Sequence, residues 1–162
     1  MLAVVIAAIG LFAISALLYS AYTNWFAGKE VKELQEDMDL ASFTVKSVLE
    51  EAEWSEESII ISDGGTSITV SGKNALDEPW EKKFYKSGGE LRLQNMDTGS
   101  EYAVIRTLNS IGFWEPDDYP EDDLPDGWEN LEKTLVIRIT VAGSARIAGR
   151  TLENRFLVYL RN

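Results

Sequence analysis

Carboxylate side chains are concentrated in one short segment of this chain. Residues 114–128, with the sequence WEPDDYPEDDLPDGW, hold three of the four prolines and seven acidic residues. Hard oxygen ligands on a loop are the ligands that Ca²⁺ prefers. We therefore predict a calcium site whose candidate ligands are Asp117, Asp118, Glu121, Asp122, Asp123 and Asp126. The spacing does not match an EF-hand, so a solvated acidic loop remains the alternative.

The same carboxylates are poor candidates for catalysis. Paired carboxyl groups act as acid and base in glycoside hydrolysis, but the prolines disfavour helix and strand here, so nothing holds such a pair in place. The chain has no Cys and no His, which excludes disulfides, zinc sites, Cys nucleophiles and His-based triads. We predict no enzyme activity, no small-molecule substrate and no cofactor other than calcium.

Three aromatic residues lie in this acidic segment, Trp114, Tyr119 and Trp128. They either cap the core or form a partner-binding patch. We expect capping, because aromatic side chains usually bury most of their area.

The chain begins with a long apolar segment. Residues 1–18 are almost wholly apolar, and the first charged residue is Lys29. A helix of this length rises about 27 Å, close to the ~30 Å hydrocarbon core of a bilayer. We predict a membrane-spanning helix, because a cleaved signal peptide would have a basic start and a cleavage site, and a buried helix would need a larger protein around it. The aromatic residues expected at the headgroup layer are Tyr19, Tyr22 and Trp25.

The distribution of charge constrains partners and orientation. The whole net charge of -12 lies on residues 29–162, and such a surface repels nucleic-acid phosphates and anionic headgroups. We therefore predict no nucleic-acid partner. Lys29 and Lys32 follow the apolar segment, so the positive-inside rule taken alone opposes export of the C-terminal domain.

An amphipathic pattern follows Gly28, with apolar residues at alternating steps of three and four, as in a helix with one packed face. These residues are Val31, Leu34, Met38, Ala41, Val45, Val48 and Ala52. No proline interrupts residues 1–78, so we predict one helix over about residues 1–53.

The width of the apolar stripe favours one packing mode for this part of the helix. Leu40, Phe43 and Leu49 widen the stripe. A wide stripe favours packing against a sheet over the narrow seam of a coiled-coil stalk, which is the alternative.

The remainder predicts short strands with Gly-rich turns. Asp63-Gly64-Gly65 and Ser87-Gly88-Gly89 each separate two β-type runs, which predicts two hairpins. The predicted strands are residues 59–61, 68–70, 82–86, 90–94, 104–107, 135–141 and 156–161, the last two as an antiparallel pair. A helix followed by hairpins predicts an α+β fold, with a long N-terminal hydrophobic helix packed on an antiparallel β-sheet. The predicted parts are residues 1–28 as the transmembrane half of the helix, 29–53 as its amphipathic half, and 54–162 as a β-rich globular domain.

The order of these segments resembles one known family. The succession is DMDLASFTVKSVLEEAE, IIISDGGTSITV, WEKKFYKSGGELRLQ, VIRTLNSIGFWE, LEKTLVIRITVAG and RFLVYL. It resembles the type IV pilin-like superfamily, in particular minor pilins and pseudopilins of the J or PilW type. The residues that carry the hairpin signature are Tyr85, Gly88, Gly89, Leu91 and Arg92, and those of the following strand are Ile105, Leu108, Ile111 and Phe113.

This chain differs from the family members at its N-terminus. Family members begin with a basic leader ending in Gly, followed by Phe-Thr-Leu-Ile/Val-Glu, and Met1 aligns just after that Glu. Either the chain starts at an internal methionine or it is a divergent member. The first reading would also resolve the orientation conflict, since a basic leader places positive charge on the cytoplasmic side.

The resemblance implies a structural subunit of a type IV pilus or a type II secretion pseudopilus, with residues 1–28 in the filament core and residues 54–162 outside the cytoplasm. Its place would be the bacterial inner membrane, with the domain facing the periplasm or cell surface, and its partners other pilin-like subunits. Small residues that allow close helix packing are Ala7, Ala8, Gly10, Ala13 and Ala16. The family also uses calcium to order loops near its C-terminal sheet. The alternative is a signal-anchored domain that binds a partner without polymerising.

Overall fold

The computed structural model describes residues 2–53, 58–119, 131, 133–143 and 150–160. In that part of the chain, one helix, α1 (Leu2–Glu50), precedes eight strands in two antiparallel sheets. The predicted α+β class is confirmed, with two sheets where one was predicted. By its internal contacts the chain divides into two units, residues 1–33 and residues 34–162.

The second half of α1 contributes the helical side of the core in the second unit. Its buried residues recur at steps of four and three, as the amphipathic pattern predicts. They are Leu34, Met38, Ala41, Val45 and Val48, with Leu49 beside them, and Ala52 continues the spacing just after the helix. The stripe is narrower than predicted, because Leu40 and Phe43 are 49% and 72% exposed. Phe43 lies two residues from Val45, about 160° around the helix from it, so it points away from the core.

The helix ends three residues earlier than predicted. The amide of Ala52 donates to the carbonyl of Leu49 (3.0 Å), and the amide of Glu53 donates to the carbonyl of Ser71 (3.2 Å). Neither amide donates to the carbonyl four residues before it, as it would in an α-helix. The regular helix therefore ends at Glu50, and the chain turns toward the sheet.

The first sheet has the spatial order β1-β2-β3-β4-β5, so every strand pairs with its neighbour in sequence. Its strands are β1 (Ile59–Ser62), β2 (Ser67–Lys73), β3 (Pro79–Ser87), β4 (Glu90–Asn95) and β5 (Glu101–Ile105). The second sheet has the order β6-β7-β8, made of β6 (Leu108–Trp114), β7 (Thr134–Ala142) and β8 (Thr151–Tyr159). Both predicted hairpins and the predicted C-terminal antiparallel pair are confirmed.

The predicted strand at residues 104–107 is wrong in its second half. β5 ends at Ile105, and the chain enters the other sheet at Leu108. At this crossing the Thr107 hydroxyl donates to the Asp37 carboxylate (2.6 Å), and the Thr107 carbonyl accepts from Ala142 (2.9 Å). A run of β-forming residues does not reveal that the chain changes sheets within it.

The core lies where α1 and both sheets bring their apolar faces together. Its largest fully buried side chains include Phe84 of β3, Phe113 of β6 and Ile137 of β7. A polar contact also ties α1 to the second sheet, because the Asn154 side-chain amide donates to Ser42 Oγ (3.0 Å).

The residues of the hairpin signature have structural roles. Gly88 has a φ of +60°, which favours glycine, and Leu91 is fully buried. Tyr85 and Arg92 are directly opposite each other on β3 and β4, and Arg92 forms an ion pair with Glu101 of β5. A hydrogen bond to Glu101 raises the pKa of Tyr85. The signature therefore fastens three strands together and does not form a binding site by itself.

Gly72 gives a test of how the helix end packs on β2. A Cβ added to Gly72 would lie 2.9 Å from the Glu51 carbonyl oxygen and 2.6 Å from the Trp80 ring. We expect Gly72→Ala to lower the free energy of unfolding by about 1–3 kcal/mol, measured by urea titration of the full chain in mild detergent. Gly89→Ala is the control, because its nearest contact is an ordinary 3.7 Å, and it should change stability by less than about 0.5 kcal/mol. Equal stability of the two variants would contradict the packing of Glu51 on β2.

Candidate functional site

The candidate site is the apolar part of α1 that lies in the first unit. Every side chain from residue 5 to residue 26 is exposed, including Phe12 at 78% and Leu17 at 71%. Within the described residues, α1 is the one helix that by length and composition can cross a membrane, and its apolar window has no buried surface. A single span is therefore compatible with the chain.

The predicted small residues are exposed but do not form one stripe. At about 100° per residue, Ala7, Gly10, Ala13 and Ala16 follow one another at steps of about 60° around the helix, and Ala8 lies about 160° from Gly10. A Cβ added to Gly10 would have no atom within 4 Å. Two sides of this helix therefore offer the close approach that helix packing in membranes uses.

The predicted aromatic residues continue into a small cluster. Tyr19, Tyr22 and Trp25 are 72%, 59% and 62% exposed. The Phe26 ring lies 4.5 Å from the Tyr22 ring and 5.0 Å from the Trp25 ring, centroid to centroid. Phe26 is not among the predicted aromatic residues, although its spacing of four residues from Tyr22 signals the contact.

Two hydroxyl groups of the apolar helix bond to its own backbone. Ser15 Oγ donates to the Leu11 carbonyl (2.8 Å), and Thr23 Oγ1 donates to the Ser20 carbonyl (2.9 Å). Because an unpaired polar group in hydrocarbon costs several kcal/mol, these bonds lower the cost of placing the helix in lipid or among other helices.

The first charged residues mark the end of this apolar surface. Lys29 pairs with Glu33 one turn later (3.4 Å), and both side chains are more than half exposed. Such an exposed pair adds little stability. The ion pair is informative because of its position, since it shows where the apolar segment ends.

The structure places only part of the predicted calcium site. β6 ends at Trp114, and a 3-10 turn over Pro116–Asp118 follows, with Asp117 and Asp118 exposed. The other predicted ligands, Glu121, Asp122, Asp123 and Asp126, lie outside the described residues. Among the residues that are described, no three His, Cys, Asp or Glu side chains are grouped to hold a metal. Calcium binding stays a prediction.

Two aromatic residues of the acidic segment contact each other at the end of β6 in the second sheet. Tyr119 is 9% exposed, and its ring meets the Trp114 ring edge-on at 5.1 Å. Trp114 lies opposite Val136 in the register of β6 and β7, and the Arg138 guanidinium lies 5.2 Å from its ring. This burial supports capping over a partner-binding patch for Tyr119; Trp128 lies outside the described residues.

The cleft beside the turn from β2 to β3 has mixed polar and apolar walls. The Trp80 ring is close to Gly72 on one side and lies 4.6 Å from Lys82 Nζ. Lys73 pairs with Asp77 (3.2 Å). The ring and both ammonium groups therefore already have partners within the chain.

No family model matches the sequence, and no curated protein or solved structure matches the chain. The resemblance to pilin-like proteins stays a prediction that rests on segment order.

Calcium binding can be tested on the full chain in detergent. If the acidic segment binds Ca²⁺, a hundredfold excess of Ca²⁺ over its dissociation constant should raise the free energy of unfolding by about 2.7 kcal/mol. Urea titrations with CaCl₂, with MgCl₂ and with a chelator provide the comparison. Identical unfolding curves with millimolar Ca²⁺ and with chelator would contradict the prediction.

The capping role of Tyr119 gives a second test. We expect Tyr119→Ala to lower the free energy of unfolding by about 3–5 kcal/mol, because it removes a buried ring. Tyr119→Phe should not lower it, because within the described residues the buried phenol oxygen has no hydrogen-bond partner. A partner-binding patch predicts instead that Tyr119→Ala leaves the unfolding curve unchanged.

Proposed function

We propose that the chain is a minor pilin or pseudopilin, a structural subunit of a type IV pilus or a type II secretion pseudopilus. The observation that carries the proposal is the exposed apolar surface of residues 5–26. Water is a poor solvent for this surface, since each Å² of apolar area left exposed costs about 25 cal/mol.

The chemistry of the helix supports both a membrane-bound and an assembled state. Its length suits a bilayer, and its hydroxyls bond to its own backbone. In an assembly, neighbouring helices replace lipid around the same surface. Small residues lie along one half of the helix, with Ala8 opposite Gly10, and allow close contact on more than one side. A subunit inside a filament needs neighbours on more than one side.

The proposal includes the location of the two units. Residues 1–28 anchor the chain in a bacterial inner membrane, and the acidic domain lies in the periplasm or at the cell surface. The partners are other pilin-like subunits, and the role is structural and not catalytic. Disulfides are not needed for such an exported domain, because it has a core.

Gly10→Leu tests assembly separately from membrane insertion. Leucine favours insertion and meets no atom of the isolated chain near Gly10, so membrane integration and domain stability should stay unchanged. If helices of neighbours pack at Gly10, assembly should fall about tenfold, equivalent to about 1.4 kcal/mol. The measurements are complementation of a deletion strain and the amount of chain cross-linked to other subunits. Ile9→Leu is the control, because it keeps the volume of an exposed side chain.

Ala13→Glu is the stronger perturbation of the same helix. A carboxylate at this depth costs about 2.5–3.5 kcal/mol in a membrane, and more when packed between helices without a partner. Full complementation by this variant would exclude helix-core packing. Normal complementation by Gly10→Leu combined with loss in Ala13→Glu would favour the alternative, a signal-anchored domain that does not polymerise.

A further inference from the structure

The outer face of α1 in the second unit carries an exposed apolar pair. Phe43 is 72% exposed and Leu40 is 49% exposed, on the side opposite the buried stripe. A shallow depression beside Phe43 is lined by Lys46, Ser47, Glu50 and Glu51. We call Leu40, Phe43 and this depression the Phe43 face.

The charge around the Phe43 face is one-sided. Residues 34–51 carry five carboxylates and one ammonium group, Lys46. Lys46 pairs with Glu50 (3.7 Å), and the Asp37 carboxylate accepts a hydrogen bond from Thr107. Asp39 and Glu51 are exposed on either side of the apolar pair in sequence, so the surface that borders Phe43 is acidic.

The geometry points to one kind of occupant. We propose that the Phe43 face receives an amphipathic helix that presents apolar residues flanked by Lys or Arg, contributed by a different subunit of the same assembly. An apolar seam covers Leu40 and Phe43, and the cations face the carboxylates on both sides. This inference rests on the proposed function and adds the chemistry of the neighbour.

Charge argues against a second copy of the chain as the occupant. A second copy would bring the same acidic border to the contact and would add its own net charge of -12, and like charges across an interface are unfavourable. Anionic lipid headgroups are disfavoured for the same reason.

The size of the Phe43 face argues for a partner that is already held nearby. Two apolar side chains are far less than the 20–30 residues per side that an independent interface uses. A neighbour held by contacts elsewhere in an assembly has a high effective concentration, so a small contact suffices to set its register.

The binding test uses the full chain in nanodiscs of zwitterionic lipid and a synthetic helical peptide of about three heptads, with Leu at the seam and Lys beside it. A peptide with Glu in place of Lys is the matched probe, and empty nanodiscs give the lipid background. Because so small a face binds a free peptide weakly, the peptide is titrated into the millimolar range. We expect the Lys peptide to bind about tenfold more tightly than the Glu peptide by fluorescence anisotropy, and less tightly at high salt. Equal binding of the two peptides would overturn the charge argument.

Two variants test whether the Lys peptide binds at the Phe43 face. Phe43→Ser should weaken the Lys peptide about tenfold, whereas Tyr159→Ser, which removes an aromatic ring that is 62% exposed on β8, should not. Both sites are exposed, so both variants should keep the wild-type unfolding curve. Equal weakening by the two variants, or none by Phe43→Ser, would overturn the proposal. A dimer of the chain that Phe43→Ser dissociates would also overturn it, in favour of a second copy.

Complementation separates this inference from the proposed function. Loss in Gly10→Leu and in Phe43→Ser supports both. Loss in Gly10→Leu with normal assembly in Phe43→Ser leaves the assembly role standing and overturns the Phe43 face as a subunit contact. Normal assembly in both variants overturns both.

Discussion

The need to remove apolar surface from water constrains every part of this chain. In the second unit, the apolar side of α1 is covered by two sheets, and its core residues are almost wholly buried. In the first unit, residues 5–26 have no such cover, and every side chain there is exposed. At roughly 25 cal/mol per Å², an exposed apolar helix of this length is not a stable surface in water. Lipid or other helices are the environments that solve this problem.

The helix meets this constraint with two different surfaces along its length. Up to residue 28 it carries no charge, and its hydroxyls Ser15 and Thr23 bond to its own backbone. Beyond that point charges appear, and from Leu34 the buried residues keep to one narrow side. A single secondary structure therefore supplies a surface for an apolar medium and a surface for a protein core, and the change comes from side chains alone.

Much of the fold can be predicted because local signals decide it. Gly88 permits the turn between β3 and β4, and the alternation of Leu135, Ile137 and Ile139 indicates which face of β7 meets the core. The errors occur where distant contacts decide. The chain switches sheets at Thr107 because Asp37 and Ala142 bind it there, and those partners are remote in sequence.

The candidate site was predictable in composition but not in arrangement. Hydropathy and length identify the apolar helix. The presence of Tyr and Trp just after the apolar segment predicts the aromatic residues at its end. That Ala8 and Ala16 lie apart from Gly10 follows only from helical geometry. Leu40 and Phe43 were expected to widen the core stripe, since type and spacing do not say how wide a face the sheets cover. Their exposure is a result of the tertiary structure.

Charge gives a reason to prefer a minor subunit to a repeating one. If copies of this chain stacked as the only component of a filament, helix packing would bring domains of like charge side by side, because the net charge of -12 lies on residues 29–162. Such self-repulsion grows with every copy added and is screened only beyond about 8–10 Å at physiological salt. Neighbours of different charge remove that cost while keeping the same helix contacts. Under the proposed function, the apolar helix accounts for assembly in general, and the acidic domain accounts for which neighbours are favourable.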